Sequence, residues 1–272
     1  MSGITDSARG AEGARQRRLA RARAAGLLPL FERAAYLRDR LRSRAANVAF
    51  RAEHPGLALP PLWWMRDMYA HTDHARYWRS GRAHAAVIDG LVAEALGRPP
   101  ASVAEWGCGM GRVLRHVTGE AVTGYDYNEA AVRWCADNLP GTYRANGLMP
   151  PLPCADGAHD AVFAISVLTH LSAAAHEAWA AELARVVRPG GVLIVTVHGE
   201  PGPGQLLPEE AARFAAGELV VRGRVREGSR LYAAYQPDAF MRRLFDGFAM
   251  ERLDERGLGQ TVWRGVRVTG SS

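Results

Sequence analysis

The chain contains no lysine: all 34 of its basic residues are arginine. That excludes a Schiff-base lysine, pyridoxal-phosphate chemistry of the usual kind and a phosphate-loop lysine. Cysteine is scarce. Cys108, Cys135 and Cys154 form no C-x-x-C pair. A disulfide framework is therefore not expected, and a reducing cytoplasm is. No apolar run reaches the roughly 18–20 residues needed to cross a bilayer. The N-terminal segment is polar and Arg-rich, without the apolar stretch of a secretory signal.

What is present fits an ordinary globular protein. The 272 residues are 48% hydrophobic and 23% charged, enough for one sizeable domain with an elaboration. Charge is unevenly placed. Residues 1–45 hold 11 Arg against 4 acids, whereas the remainder holds 23 Arg against 24. The net +6 thus belongs to the N-terminal part. Such a segment can be a solvated helix, or it can steer toward nucleic acid or an anionic membrane.

Residues 1–26 are Ala, Arg and Gly with little apolar content, and are expected to be disordered or loosely helical. After Pro29, the residues Leu30, Ala34, Leu37, Leu41, Ala45 and Val48 recur at helical spacing and mark one apolar stripe. Residues 54–81 then crowd three Trp, two Tyr and three His into a short stretch. Residues 82–97 read as a helix. Together, residues 27–98 form a helical and aromatic cap, and 99–272 the main domain.

From residue 102 the pattern alternates. Strands are expected near 102–106, 121–126, 142–145, 160–165 and 191–198, and helices near 110–118, 128–138, 171–187 and 207–217. This βαβ order predicts a parallel sheet covered by helices on both faces. Pro189-Gly190-Gly191 reads as the stop of the helix before the fifth strand. Residues 219–235 read as a hairpin insertion around Glu227-Gly228-Ser229. Two last strands fall near 246–253 and 261–268.

The segment Val103-Ala104-Glu105-Trp106-Gly107-Cys108-Gly109-Met110-Gly111-Arg112 carries the chemistry. A strand enters a glycine turn, where the backbone can approach a ligand and free N–H groups favour an anion. Asp126 closes the second strand and can accept from both hydroxyls of a ribose. The ligand is thus adenosine-like. The G-x-G-x-G spacing departs from the dinucleotide fingerprint G-x-G-x-x-G. Glu105, two positions before the first glycine, would repel a pyrophosphate but suits an ammonium.

These residues resemble the first motif of class I S-adenosylmethionine-dependent methyltransferases. Later landmarks resemble that family in order: Asp126, Asn146, Asp160-Ala161-Val162, Val167-Leu168-Thr169-His170-Leu171, and Arg185 to Gly191. The aromatic segment and Thr196-Val197-His198-Gly199 resemble a bacterial small-molecule subgroup. The resemblance implies a Rossmann-like, seven-stranded, mostly parallel doubly wound sheet with an antiparallel edge strand. It implies S-adenosyl-L-methionine as cofactor. Glu105, Gly107, Cys108, Gly109 and Gly111 would hold its methionine end. Asp126 would take the ribose, Tyr127 and Leu148 would sandwich the adenine, and Asn146 would read its edge. Many relatives carry Asp where this chain has Asn146. Ser166 would lie nearby.

Methyl transfer needs a base only when the acceptor must lose a proton. His170 and His198, at the carboxyl edge of the sheet, and His71 are the candidate catalytic residues. His71, His74, Asp67 and Asp73 are too loosely spaced for a metal site, and none is expected. Trp63, Trp64, Tyr69, Tyr77 and Trp78 are read as walls of the substrate pocket. Arg222, Arg224, Arg226 and Arg230 decorate the hairpin, as a grip for an acidic substrate or as a solvated face. Cys154 precedes strand four, whereas the Pro-Cys pair of cytosine-5 methyltransferases follows it. Ser166-Val167-Leu168 replaces the exocyclic-amine DNA methyltransferase motif. A DNA-base substrate is disfavoured.

The expected reaction is methyl transfer to an oxygen or nitrogen of a small-molecule acceptor, a sugar or specialised metabolite. The alternatives are an RNA or other nucleic-acid methyltransferase using the basic arm, a nicotinamide oxidoreductase, and a non-catalytic binder of the same cofactor. A homodimer is left open.

Overall fold

The computed structural model describes residues 28–202, 204–223 and 225–268. The basic arm at 1–26 and the hairpin residue Arg224 lie outside the described residues.

Three helices precede the sheet: α1 (Leu28–Glu53), α2 (Leu62–Tyr69) and α3 (His74–Leu96). The alternating region follows as β1 (Ser102–Trp106), β2 (Ala121–Asp126), α4 (Glu129–Asn138), β3 (Thr142–Ala145), β4 (His159–Ala164), α5 (Ala173–Val186) and β5 (Val187–Val197). Then come α6 (Pro208–Ala215), β6 (Val220–Arg222), β7 (Ala233–Tyr235), α7 (Asp238–Leu244), β8 (Phe248–Leu253) and β9 (Thr261–Arg267).

Seven strands form one sheet in the order β3-β2-β1-β4-β5-β9-β8. The pairs from β3 to β5 are parallel, and β9 runs antiparallel to both β5 and β8. The reversed strand therefore sits one place in from the edge, not at the edge as expected. All of β4 is buried, because helices cover both faces of the parallel strands. Side-chain caps start the helices where the sequence offers them. Asp73 accepts from the Arg76 amide, Asn128 from Ala131 and Ser172 from Ala175. The hairpin insertion is a separate two-stranded sheet, β6 antiparallel to β7.

Three further expectations are corrected. No α-helix forms over 110–118; the segment makes a single 3₁₀ turn at Leu114–His116. Gly109 (φ +51°) and Gly111 (φ +67°) hold the chain in left-handed conformations. The Glu105 carboxylate, rather than a preceding helical turn, receives the Leu114 amide at 3.0 Å. Second, α5 ends at Val186, before Pro189-Gly190-Gly191. Those residues lie within β5, where the register against β4 jumps from His159↔Val187 to Ala161↔Val192.

Third, α1 is turned around. Its face toward the body is largely polar: Glu32, Asp39, Ser43 and Asn47, with Tyr36 and Phe50. Asn47 donates to the Thr72 carbonyl at 2.7 Å and accepts the His74 amide at 2.9 Å. Arg66 of α2 binds Asp39 at 2.9 Å and Glu32 at 3.0 Å. The apolar stripe faces outward, with Leu30 67%, Leu41 72% and Val48 65% exposed.

Candidate active site

A cleft of about 770 Å³ opens at the carboxyl ends of β1, β2, β4 and β5, where open α/β sheets bind ligands. Its floor is the glycine turn. Gly107 and Cys108 both donate to the Tyr125 carbonyl, at 2.8 and 3.0 Å. Gly107 has φ +77°, and a Cβ there would sit 2.3 Å from Val167 Cγ2. At Gly109 a Cβ would come within 3.0 Å of the Tyr69 hydroxyl. Gly111 does not reach the cleft. It packs underneath, where a Cβ would meet Leu139 Cδ1 at 2.5 Å.

Asp126 is buried beside this turn. One carboxylate oxygen accepts the Gly109 amide and the other the Asn128 amide, both at 2.8 Å. A carboxylate has about four acceptor positions, so two remain for a ligand. Burial raises its pKa, and the two amides oppose that rise. Glu105 is more strongly affected: burial pushes it up to about 8, despite the pull of Arg112. Asn146 donates to the Gly147 carbonyl at 2.7 Å. Its Oδ1 is buried without a hydrogen-bond partner. Tyr127 and Leu148 converge on Gly228 of the hairpin, which accepts the Tyr127 hydroxyl at 3.1 Å.

Ser166 has φ +62°. Its amide donates to Thr196 Oγ1 at 2.8 Å, and Gln260 Nε2 donates to its hydroxyl at 2.9 Å. Gln260 accepts the Thr196 hydroxyl at 2.6 Å, which closes the network.

Four histidines line the cleft: His84, beside Arg112, and the three candidate catalytic residues His71, His170 and His198. His170 Nδ1 is 2.8 Å from the Tyr232 carbonyl and His198 Nδ1 is 3.1 Å from the Ala234 carbonyl. A carbonyl only accepts, so each Nδ1 carries the proton and each Nε2 is a lone-pair acceptor. His71 has the opposite tautomer, because its Nδ1 accepts the Asp73 amide at 3.2 Å. Burial lowers His170 and His71 to about 4, and it lowers His198 as well. All three rings are neutral near pH 7.

The aromatic segment contributes less than expected. Tyr69 lines the cleft and receives the Met110 amide at 3.0 Å. Trp63, Trp64, Tyr77 and Trp78 do not line it. Trp63 packs edge-on against Tyr36 of α1. Tyr77 is wholly buried beneath the turn and donates to the Met110 carbonyl at 2.7 Å. Trp78 rests on His116 and the Arg115 guanidinium. Ala70, in a left-handed conformation, ends α2 and turns the chain into α3, so only the last residues of α2 reach the cleft. His74 is buried away from it, 3.4 Å from Arg51 Nε. Among the described residues no cluster of three or more His, Cys, Asp or Glu could hold a metal ion.

Sequence reasoning missed Arg112, Ser80, His84 and Gln260, all of which line the cleft. Arg112 donates to Ser80 Oγ and His84 Nδ1, each at 3.2 Å, and lies 5.4 Å from the centre of the Tyr69 ring. Its place directly after the glycine turn was the available signal. Gln260 lies 94 residues from Ser166, and no local pattern marks it.

Residues 104–195 match the family model described as "Methyltransferase domain". This stretch is thus similar to methyltransferase domains. A protein of Mycolicibacterium smegmatis named "Probable S-adenosylmethionine-dependent methyltransferase" is 34% identical over 122 residues, 44% of this chain. That match spans 45% of the relative's length. The fold of the methyltransferase domain resembles two solved structures. DesVI of Streptomyces venezuelae aligns with TM-score 0.52 and 19% identity, over 71% of this chain and 92% of that one. CalS10 of Micromonospora echinaspora, described as an amino pentose methyltransferase with bound cofactor, aligns with TM-score 0.54 and 16% identity, over 71% and 96%.

The residues fit S-adenosylmethionine. The glycine turn leaves no room for side chains, Asp126 keeps spare acceptor positions, and the orphaned Asn146 Oδ1 matches an exocyclic amine. Among the described residues, no helix is long and apolar enough to cross a membrane.

Proposed function

We propose that the protein transfers a methyl group from S-adenosylmethionine to an oxygen or nitrogen of a small molecule, a sugar or specialised metabolite. The observation that supports this most is the meeting of Asp126 and Asn146, both with unused acceptor capacity, with two neutral imidazole acceptors in one cleft. When bound, the cofactor supplies a methyl carbon activated by a sulfonium.

This chain's residues do the rest. Asp126 receives the ribose hydroxyls and Asn146 Oδ1 the adenine amine, with Tyr127 and Leu148 beside the ring. Glu105 and Arg112 offer opposite charges to the ammonium and carboxylate of the methionine end. Gly107, Cys108 and Gly109 let that end approach the backbone, and Gly111 packs the turn from below. Ser166, held by Thr196 and Gln260, would lie beside the cofactor. His170 Nε2 takes the proton that an acceptor hydroxyl or amine must lose, and His198 Nε2 orients the acceptor. His71 presents an N–H to an acceptor oxygen. In the solved structures, CalS10 is described as acting on an amino pentose, which suits the sugar reading.

Residues 27–98 serve as the cap over this cleft, 99–272 as the methyltransferase domain, and 219–235 as its hairpin insertion. All three cysteines are free thiols, in keeping with a reducing cytoplasm. The test is calorimetric titration with S-adenosylmethionine, S-adenosylhomocysteine and NAD in parallel. Binding of the first two alone is expected. Binding of NAD alone, or of none, overturns the reading.

A further inference from the structure

Among the described residues, nothing covers the apolar stripe of α1. A helix of a globular protein buries its apolar stripe, and α1 buries its polar side instead. At 100° per residue, Leu30, Ala34, Leu37, Leu41, Ala45 and Val48 share one face, opposite Glu32, Asp39, Ser43 and Phe50. Leu30, Leu37, Leu41 and Val48 are more than half exposed, and Phe31 beside them is 59% exposed. The same angles put Arg38 and Arg42 along one border of the stripe, and Arg33, Arg40, Arg44 and Arg51 along the other. The helix is fixed in this pose by charge: Glu32 binds both Arg66 and Arg230, and Asp39 binds Arg66.

We propose that the outward face of α1 docks on an anionic lipid surface. A central band of Leu, Ala and Val between two rows of arginine, one of which also carries Phe31, is the arrangement of an interfacial helix. Its apolar face enters the acyl boundary while the guanidinium groups reach lipid phosphates. The surplus of seven positive charges in residues 1–45, against an almost balanced remainder, adds long-range attraction to an anionic surface. A nucleic acid would use the arginines but leave the Leu and Val band without a partner. A second copy of the chain would cover the band, but it would set the arginine rows of two helices against each other. Arg230 also lines the cleft, so docking brings the cap and the rim of the site to the surface.

The experiment is co-sedimentation of the full chain with vesicles of phosphatidylcholine alone and of phosphatidylcholine with phosphatidylglycerol. The expected result is binding to the anionic vesicles only, weakened by salt. It should be at least about tenfold weaker in Leu37→Glu/Leu41→Glu. Both changes are at exposed positions, and an unchanged unfolding midpoint shows that the variant is folded. Arg40→Gln/Arg44→Gln tests the second half of the motif and should also weaken binding. Three results overturn the proposal: no sedimentation with anionic vesicles; equal binding by the Leu variant, which means that charge alone acts; and a dimer in light scattering that the Leu variant dissolves, without vesicle binding, which assigns the face to a second copy.

Discussion

His170 and His198 are held in the same tautomer by carbonyls two residues apart, Tyr232 just before β7 and Ala234 within it. One edge of the hairpin thus sets both imidazoles with Nε2 unprotonated and available to the cleft. Neither histidine chooses its own protonation site; the strand does.

This relationship predicts an NMR result. Imidazole nitrogen shifts should show the Nδ1–H form for both rings at pH 6–7. Because burial lowers His170 to about 4, its charge should appear only as the pH falls through that region. A His170 midpoint near 6.5 rejects the burial argument. Turnover should accordingly be insensitive to His170 ionisation between pH 5 and 8, and His170→Ala should reduce kcat more than cofactor affinity.

Glu105 predicts a proton linkage. Its pKa is raised to about 8 in the free protein, so it is mostly protonated at pH 7. A ligand ammonium favours the charged form, so binding should expel a proton. Titration of S-adenosylhomocysteine at pH 7 in buffers of differing ionisation heat should show about one proton released in the wild type and none in Glu105→Gln. The same raised pKa makes the native state bind more protons than the unfolded chain between its unfolded value and about 8. Glu105 therefore lowers stability as pH rises across that window. Glu105→Gln should raise the unfolding midpoint of the free protein at pH 7 by at least about 2 °C while weakening the cofactor.

The two ends of the cofactor site can be separated with ligands. Methylthioadenosine has the nucleoside but lacks the amino-acid end. Arg112→Gln should weaken S-adenosylhomocysteine by about tenfold or more and leave methylthioadenosine unchanged. Asp126→Ala should weaken both, by roughly 10–100-fold, from loss of charge-assisted bonds of about 1.5–3 kcal/mol. If Arg112→Gln affects both ligands equally, the carboxylate assignment fails.

Gly107 predicts a packing rescue. Gly107→Ala places a methyl 2.3 Å from Val167 Cγ2 and forces an L residue to φ +77°. A loss of about 1–3 kcal/mol from the backbone alone is expected, plus the clash. Val167→Ala should restore part of the stability of the double variant, and only the part due to the clash. Denaturant unfolding of the four proteins measures both shares.

The parallel strands were legible because burial on both faces writes them as short apolar runs, as in Val103–Trp106 and Asp160–Ala164. Asp126 and the glycine turn were legible because strand end and turn are local in sequence. The 3₁₀ turn at Leu114–His116 was not, because what stops a full helix there includes a bond from Glu105, a tertiary contact. The aromatic density of residues 54–81 was plain, but which ring faces the cleft depends on how Ala70 turns α2 into α3. Helical periodicity found the stripe on α1 and could not say which way it points. That direction was decided by Arg66, Thr72 and His74, none of which lies on the helix.

Gly228 donates its amide to the His170 carbonyl at 2.9 Å and accepts the Tyr127 hydroxyl on its own carbonyl. A Cβ on it would lie 3.0 Å from Leu148 Cδ1 and 3.2 Å from Tyr127 Cζ. A residue with no side chain therefore spans the interval between the two ends of the cleft. The interval is gauged by one glycine residue, from its own N–H to its own C=O, a length that carries no titratable group and no rotamer. Residues around the cleft can be exchanged to suit another ligand while this internal ruler keeps the same reading.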